Sequence, residues 1–142
     1  MTSEELKTNV KHAMEETWNS GNVNRLDDIY TDDFVVHMFS SPDINGLAAY
    51  KQYIKDISTA FSNIKFTVDD AIVEDGKGAF ITTLQGEHTG QSAAMPIPPT
   101  GKTVVISGCA IIHFKDDKGI ESWWYSDGLS IMQQLGFIPA LG

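Results

Sequence analysis

Cysteine and basic residues are both scarce in this chain of 142 residues. Cys109 is its single cysteine, which excludes an internal disulfide and favours a reducing compartment. The chain has ten Lys and Arg residues and 19 Asp and Glu residues, which gives a formal net charge of −9. Phosphate binding needs clustered cations, and the cations here are scattered singly, so the composition excludes nucleic acid as a partner.

Long apolar runs are also missing. No stretch approaches the ~20 apolar residues of a membrane span, so a membrane is not expected as a partner. Residues 1–18 are charged and helically periodic, unlike a signal peptide. With 42% hydrophobic and 20% charged residues, the composition predicts one folded domain over residues 1–142, and a cytoplasmic protein.

Hydrophobic periodicity predicts helices first and a sheet afterwards. Apolar residues recur at helical spacing over 3–19 and 47–61, and a short helix is expected over 22–30. Strands are predicted at 34–39, 64–74, 79–88, 104–114 and 120–127. Residues 89–101 hold three prolines and two glycines, which is typical of a rim or lid loop. This order predicts an α+β domain in which an antiparallel sheet curls around helices.

The last predicted strand ends in a carboxylate. Side chains alternate along a strand, so Trp123, Tyr125 and Asp127 share one face, and Trp124 lies on the other. An acid beside aromatic rings has a raised pKa and can accept and return a proton near neutrality. Alternatively, Asp127 caps the helix that follows. Both interpretations stay open from the sequence.

Two histidines are candidates for contact with a ligand. His88 lies in Gly86-Glu-His-Thr-Gly90, where a strand enters the loop, and can hydrogen-bond an oxygen, move a proton, or be solvated. His37, inside the first strand, either lines a cavity or is hydrogen-bonded in the core. No histidine pair has metal-ligand spacing, so no metal is expected. Trp18 and Tyr53 are among the aromatic residues that either line a chamber or fill the core.

Several short motifs, spread over nearly the whole chain, resemble the SnoaL-like polyketide cyclase family. The more specific ones are the His-Thr-Gly of residues 88–90, the Pro-Thr-Gly-Lys of 99–102 and the Gln-Leu-Gly of 134–136. The Trp-Asn-Ser-Gly of 18–21, the Phe-Val-Val-His of 34–37, the Asn-Gly of 45–46 and the Asp-Lys-Gly-Ile of 117–120 agree with them.

The resemblance implies a cone-shaped fold, in which a curved antiparallel sheet wraps three helices of the N-terminal half and encloses a pocket. It is the fold of nuclear transport factor 2 and ketosteroid isomerase. The resemblance also implies a homodimer built through the sheet, and ring closure without metal or cofactor. In that chemistry a carboxylate takes a proton from carbon, and the pocket supports the enolate.

The resulting hypothesis is a small cofactor-independent enzyme that moves a proton on a hydrophobic, oxygenated ligand. Asp127 and His88 would be catalytic, and the substrate would contact six further side chains: His37, Tyr125, Trp124, Trp123, Tyr53 and Trp18. The family's usual catalytic aspartate falls on Trp124 or Tyr125, which leaves Asp127 as the acid at the end of the strand. The alternatives are a binding protein that uses the same pocket without chemistry, and an interaction domain whose pocket is filled by side chains.

Overall fold

The computed structural model describes residues 1–39 and 41–139. Within these residues the chain forms three α-helices, a 3₁₀ helix and six strands, in the following order: α1 (Ser3–Ser20), the 3₁₀ helix (Val23–Asp28), β1 (Tyr30–Met38), β2 (Ile44–Asn45), α2 (Leu47–Ala60), β3 (Phe61–Glu74), β4 (Lys77–His88), β5 (Thr103–Lys115), β6 (Lys118–Ser126) and α3 (Gly128–Leu135).

The six strands form one curved, unclosed sheet in the order β2-β1-β6-β5-β4-β3. Strands β3 to β6 are joined by antiparallel hairpins. The predicted α+β class with a curved sheet is therefore confirmed. One pairing differs from the expected antiparallel pattern, because β1 lies parallel to β6. A parallel pair needs a long crossover connection, and α2 together with the hairpins supplies it.

The helices differ from the sequence prediction in one place. The first and third predicted helices correspond to α1 and α2, but the short one between them is 3₁₀ and ends at Asp28. Strand β1 therefore begins at Tyr30, four residues before the predicted start at 34. The third α-helix of the structure is α3, in the tail where a short helix or a loop was expected.

Helix α1 is fixed at both ends by its own sequence. Thr2 and Glu5 form a capping box, and Gly21 ends the helix in the left-handed conformation at φ 77°. The predicted stripe at four-residue spacing is buried from Leu6 to Met14. The stripe packs on the concave face of the sheet, where the main core lies.

Glycines on the concave face make room for aromatic rings from neighbouring strands. The indole of Trp124 lies over Gly108, where a Cβ would come 2.6 Å from two ring atoms. The ring of Tyr30 lies over Gly119 at the same close distance of 2.6 Å. The inner surface of the sheet is therefore covered by flat rings, which cross from one strand to the next.

Amide side chains cover two open edges of the sheet. Strand β6 pairs with β5 only from Gly108 to Lys115, so the start of β5 has an open edge. There Gln134 of α3 accepts from Val105 N–H and donates to Val105 C=O, both at 2.8 Å. At the β3 edge, Asn19 of α1 accepts from Phe66 N–H at 2.7 Å and donates to its C=O at 2.9 Å. Both helices thus dock through hydrogen bonds that a further strand would otherwise make.

No helix in the described part of the chain is long and apolar enough to cross a bilayer.

Candidate functional site

His88 is the last residue of β4, and it is fully buried. Its backbone N–H donates to Lys102 C=O at 2.8 Å, and its C=O accepts from Gly101 N–H at 2.8 Å. The end of the rim loop is thereby joined to the main chain of His88. Both the histidine and the loop residues beside it hold fixed positions.

The two ring nitrogens of His88 have different surroundings. Nδ1 lies 3.0 Å from Thr100 Oγ1 and accepts from the Thr100 backbone N–H at 3.3 Å. Because a backbone N–H can only donate, Nδ1 must carry a lone pair, and the ring proton then belongs on Nε2. Nε2 is buried and finds no hydrogen-bond partner among the described residues. His88 therefore presents an oriented donor that lacks an acceptor.

The surroundings of His88 are apolar. Phe61 pairs with His88 across β3 and β4, and their ring centroids lie 5.4 Å apart. Phe61 belongs to a small hydrophobic cluster with Ala60, Val104 and Leu135, against which the loop residues Met95 and Ile97 pack. A donor in such a medium interacts more strongly with an acceptor than it would in water.

The three specific sequence motifs meet around this cluster. Thr89 and Gly90 of His-Thr-Gly donate their backbone N–H groups to Ala60 C=O. Lys102 of Pro-Thr-Gly-Lys donates through Nζ to Leu135 C=O at 3.3 Å, at the C-terminal end of α3, where a cation is favourable. These motifs therefore build one scaffold that holds the loop, the helix α3 and the end of β4 together around His88.

Asp127 caps helix α3. Its Oδ1 accepts from Ser130 N–H at 2.9 Å, so the cap interpretation from the sequence is confirmed. Ser126, the residue before Asp127, pairs with Gly108 of β5, and Gly108 pairs with Thr82 of β4. In a flat sheet, six residues along β4 and two strands across would separate Ser126 from His88 by about 20 Å and about 10 Å, respectively. The two predicted catalytic residues are not brought together.

His37 and Trp123 lie on the convex face of the sheet, away from the core. His37 Nδ1 is 3.0 Å from Asp43 Oδ2, and Nε2 is 2.6 Å from Glu121 Oε2. The hydrogen bond with Glu121 is the main cause that raises the pKa of His37 above its usual value; burial opposes it, and the hydrogen bond with Asp43 adds a smaller increase. The rings of His37 and Trp123 stack at 5.2 Å. His37, His88 and Asp127 therefore do not converge on one cavity.

Trp124 and Tyr125 line a cavity of about 210 Å³ at the ends of β1 and β6. Its other lining residues are Met38, Phe39 and Ser126. Trp124 extends from the concave face, whereas Tyr125 extends from the convex face and stacks on Phe39 at 4.5 Å. Both side chains line this cavity because it lies at the ends of the two strands, next to the residue that precedes Asp127.

A second cavity, of about 270 Å³, lies between α1 and β3. Its lining is mostly polar and includes Lys7, Lys11 and Asp69. His88 lines neither of these two cavities.

Tyr53 and Trp18 pack against the main core. Tyr53 stacks with Tyr50 at 6.4 Å, and burial in the apolar interior raises the pKa of both tyrosines above its usual value. Trp18 stacks on Phe66 at 5.7 Å. Their predicted contact with a substrate stays a prediction.

Sequence reasoning did not single out Thr100 or Gln134. Both lie inside motifs that were recognised, but only the fold shows that Thr100 contacts the His88 ring and that Gln134 covers the edge of β5. Within residues 1–39 and 41–139, no three His, Cys, Asp or Glu side chains gather closely enough to hold a metal ion.

Comparison with solved structures supports the fold. The chain is similar to AclR of Streptomyces galilaeus, with 20% identity over 99% of this chain and 87% of that one and a TM-score of 0.84. It is similar to TsrD of Streptomyces laurentii, with 21% identity over 92% and 97% of the two chains and a TM-score of 0.80. It also resembles a Catenulispora acidiphila protein with a ketosteroid isomerase-like fold, with 12% identity, coverage of 89% and 92% and a TM-score of 0.74.

No curated protein matches the chain. The model of the SnoaL-like polyketide cyclase family matches residues 8–135, which include the His88 scaffold and nearly all of the sheet. Residues 8–135 carry the motifs that first indicated the resemblance, and the fold agrees with it. The chain belongs to the SnoaL-like polyketide cyclase family.

Proposed function

We propose that this protein is a small cofactor-independent enzyme of cyclase or isomerase type, which moves a proton on a hydrophobic, oxygenated, polyketide-like molecule. The observation that carries the proposal is the buried Nε2–H of His88, which lacks an acceptor among the described residues. An unsatisfied buried donor costs about 1–3 kcal/mol, so proteins seldom keep one without a use. A ligand oxygen would satisfy it.

The chemistry follows from the direction of this donor. When a solvent base such as hydroxide takes a proton from the carbon beside a carbonyl group and becomes water, the electron pair of the C–H bond forms the enolate and negative charge moves onto the carbonyl oxygen. A hydrogen bond from His88 Nε2 to that oxygen stabilises the developing enolate, and it does so most effectively where water is excluded. The apolar cluster around Phe61 and Val104 supplies such a medium. His88 therefore acts as the donor and not as the base.

The proposal is tested by hydrogen exchange at carbon. In D₂O, the protein is expected to speed deuterium incorporation at the carbon next to the carbonyl of 1-tetralone, a flat aromatic ketone, as followed by NMR. The matched control is His88→Asn, which removes the donor. Equal exchange with the wild-type protein, the variant and buffer would overturn the proposal for ketones of this type.

Variants of Asp127 separate its cap from its predicted role as a base. Asn and Ser also cap helices, so Asp127→Asn and Asp127→Ser are expected to keep the stability of the wild type, whereas Asp127→Ala loses about 1 kcal/mol. Turnover by Asp127→Asn is expected to stay within a few-fold of wild type, because Asp127 lies far from His88 along the sheet. Urea denaturation and deuterium exchange measure the two effects. A fall of 100-fold or more in a stable Asp127→Asn variant would restore Asp127 as the base.

A ligand-binding protein without chemistry is the second candidate. It is favoured by the aromatic residues Trp124 and Tyr125, which stand where the family's aspartate is expected and line the cavity of about 210 Å³. This function predicts that planar aromatic ketones raise the melting temperature and are recovered unchanged by mass spectrometry. Recovery of a deuterated or rearranged compound would instead support the enzyme over the binding protein.

We also propose a homodimer through the convex face of the sheet. Ile72 is 66% exposed there, Ile81 49%, Tyr125 51% and Phe39 66%. The register places Ile81 beside Cys109, and Cys109 beside Tyr125, so these side chains form a continuous apolar surface. Monomers rarely expose such a patch.

The dimer is tested by one substitution on this face. Ile81→Lys is expected to weaken association at least about tenfold, because burying an unpaired ammonium costs several kcal/mol. Gln52→Lys on the exposed side of α2 carries the same charge change and serves as the control. Sedimentation equilibrium of the two variants and the wild type measures association. Equal association of all three proteins would place the contact elsewhere.

A further inference from the structure

We propose that Thr100 is a positioning residue, which holds His88 in the tautomer that carries its ring proton on Nε2. The proposal rests on the proposed function of His88 as a donor. The tautomer itself can be measured without any substrate, so the two can fail separately.

The Thr100 hydroxyl can satisfy both of its neighbours at the same time. Its Oγ1 accepts from the Lys102 backbone N–H at 3.3 Å, and it lies 3.0 Å from His88 Nδ1. A hydroxyl has a single proton, and with Oγ1 accepting from Lys102 this proton is available for Nδ1. The Thr100 backbone N–H reaches the same Nδ1 at 3.3 Å. Thr100 therefore offers two donors, its hydroxyl and its backbone N–H, to the single lone pair of His88 Nδ1.

The opposite tautomer conflicts with this arrangement. A proton on Nδ1 would face the Thr100 backbone N–H, which has no lone pair to offer. The hydroxyl has two lone pairs and could accept from the ring as well as from Lys102, so the backbone N–H is the group that opposes this tautomer. The contacts with Thr100 thus favour the tautomer with its proton on Nε2.

The main chain fixes Thr100 in this place. Gly101 and Lys102, the two residues after Thr100, are both hydrogen-bonded to the main chain of His88. Gly101 adopts φ 72°, a conformation that glycine tolerates best, and this bend turns the chain so that Thr100 faces the ring. The Pro-Thr-Gly-Lys motif consequently acts on the site through one residue, Thr100.

This role explains how a histidine can serve as a donor and not as a base. A base needs an unoccupied nitrogen lone pair, and the lone pair of His88 is already engaged by Thr100. The proton on Nε2 remains available to a ligand oxygen. Nothing in the arrangement needs His88 to change its protonation during the reaction.

The tautomer is measured by NMR on protein labelled with ¹⁵N in its four histidines. The His88 signals are assigned by their loss in His88→Asn. Wild-type His88 is expected to show the Nε2–H tautomer. Thr100→Val removes the hydroxyl at constant shape and keeps the backbone N–H, so Nδ1 loses one of its two donors and the population is expected to shift partly toward the Nδ1–H tautomer. Thr100→Ser keeps the hydroxyl and should restore the wild-type spectrum.

Kinetics supply the second readout. With 1-tetralone, Thr100→Val is expected to lower kcat about tenfold, equivalent to about 1.4 kcal/mol, with KM changed less than about twofold, whereas Thr100→Ser stays close to wild type. A wild-type spectrum of the Nδ1–H tautomer would overturn the proposal, even if Thr100→Val fails to fold. An unchanged His88 spectrum in a folded Thr100→Val variant would overturn it too. If the tautomer behaves as expected but His88→Asn leaves turnover intact, the positioning role stands and the proposed function falls.

Discussion

Turnover is expected to fall by about 100- to 1,000-fold when His88 is replaced by asparagine, as it does when an oxyanion donor is removed from other enzymes. The asparagine oxygen takes roughly the place of Nδ1 and can accept from Thr100, so the bonds to the rim loop persist. No atom of asparagine reaches the place of Nε2. The loss should therefore appear in kcat and not in folding.

The stability of the same variant provides the internal control. Asparagine removes the Nε2 donor but is smaller and carries amide N–H groups of its own, so the free energy of unfolding should fall by no more than about 1–3 kcal/mol. His88→Gln, whose amide nitrogen reaches farther toward the Nε2 position, is expected to recover part of the turnover. Urea denaturation and deuterium exchange on 1-tetralone measure both quantities. A large loss of stability together with unchanged turnover per folded molecule would make His88 a packing residue.

The largest effect on stability is expected from Gly90→Ala. A Cβ at Gly90 would lie far inside contact distance of Thr59 C=O, and within 3.4 Å of Ala60 Cα. These are main-chain atoms at the end of α2, and Gly90 N–H is hydrogen-bonded to Ala60 C=O at 3.0 Å, so neither segment can move away alone. The free energy of unfolding should fall by about 2–3 kcal/mol, or more if the loop separates from α2.

Gly128→Ala is the matched control for this substitution. No atom lies within 4 Å of a Cβ built at Gly128, the first residue of α3, and alanine favours a helix. This variant should keep or slightly exceed the stability of the wild type in urea denaturation. Similar stability of Gly90→Ala and wild type would show that the contact between His-Thr-Gly and α2 is loose.

Local patterns in the sequence predicted most of the secondary structure. Leu6, Val10 and Met14 mark one side of α1, and β3 ends at Glu74, as predicted for the strand over 64–74. These features depend on neighbours a few residues away. The parallel pairing of β1 with β6 could not be obtained in this way, because it joins segments almost 90 residues apart through contacts that neither segment encodes alone.

The site was harder to predict than the fold. Alternation correctly placed Trp123 and Trp124 on opposite faces of β6, but both faces carry aromatic residues, so the pattern did not show which face is concave. His37 was correctly placed inside the first strand, yet its two carboxylate partners come from a loop and from another strand. The orientation of the His88 ring depends on Thr100, twelve residues away, and needed the folded loop.

The amide bridges at the edges of the sheet protect this protein from self-association through its backbone. An exposed strand edge is a template on which another chain can add a strand and begin a fibril. Gln134 and Asn19 each occupy both the N–H and the C=O of one edge residue, Val105 and Phe66. A partly melted molecule that has lost α3 would bare the edge at Val105 while its sheet is still intact. Fraying of α3 is thus a route to aggregation that opens the small cluster around Phe61 but leaves the main hydrophobic core in place.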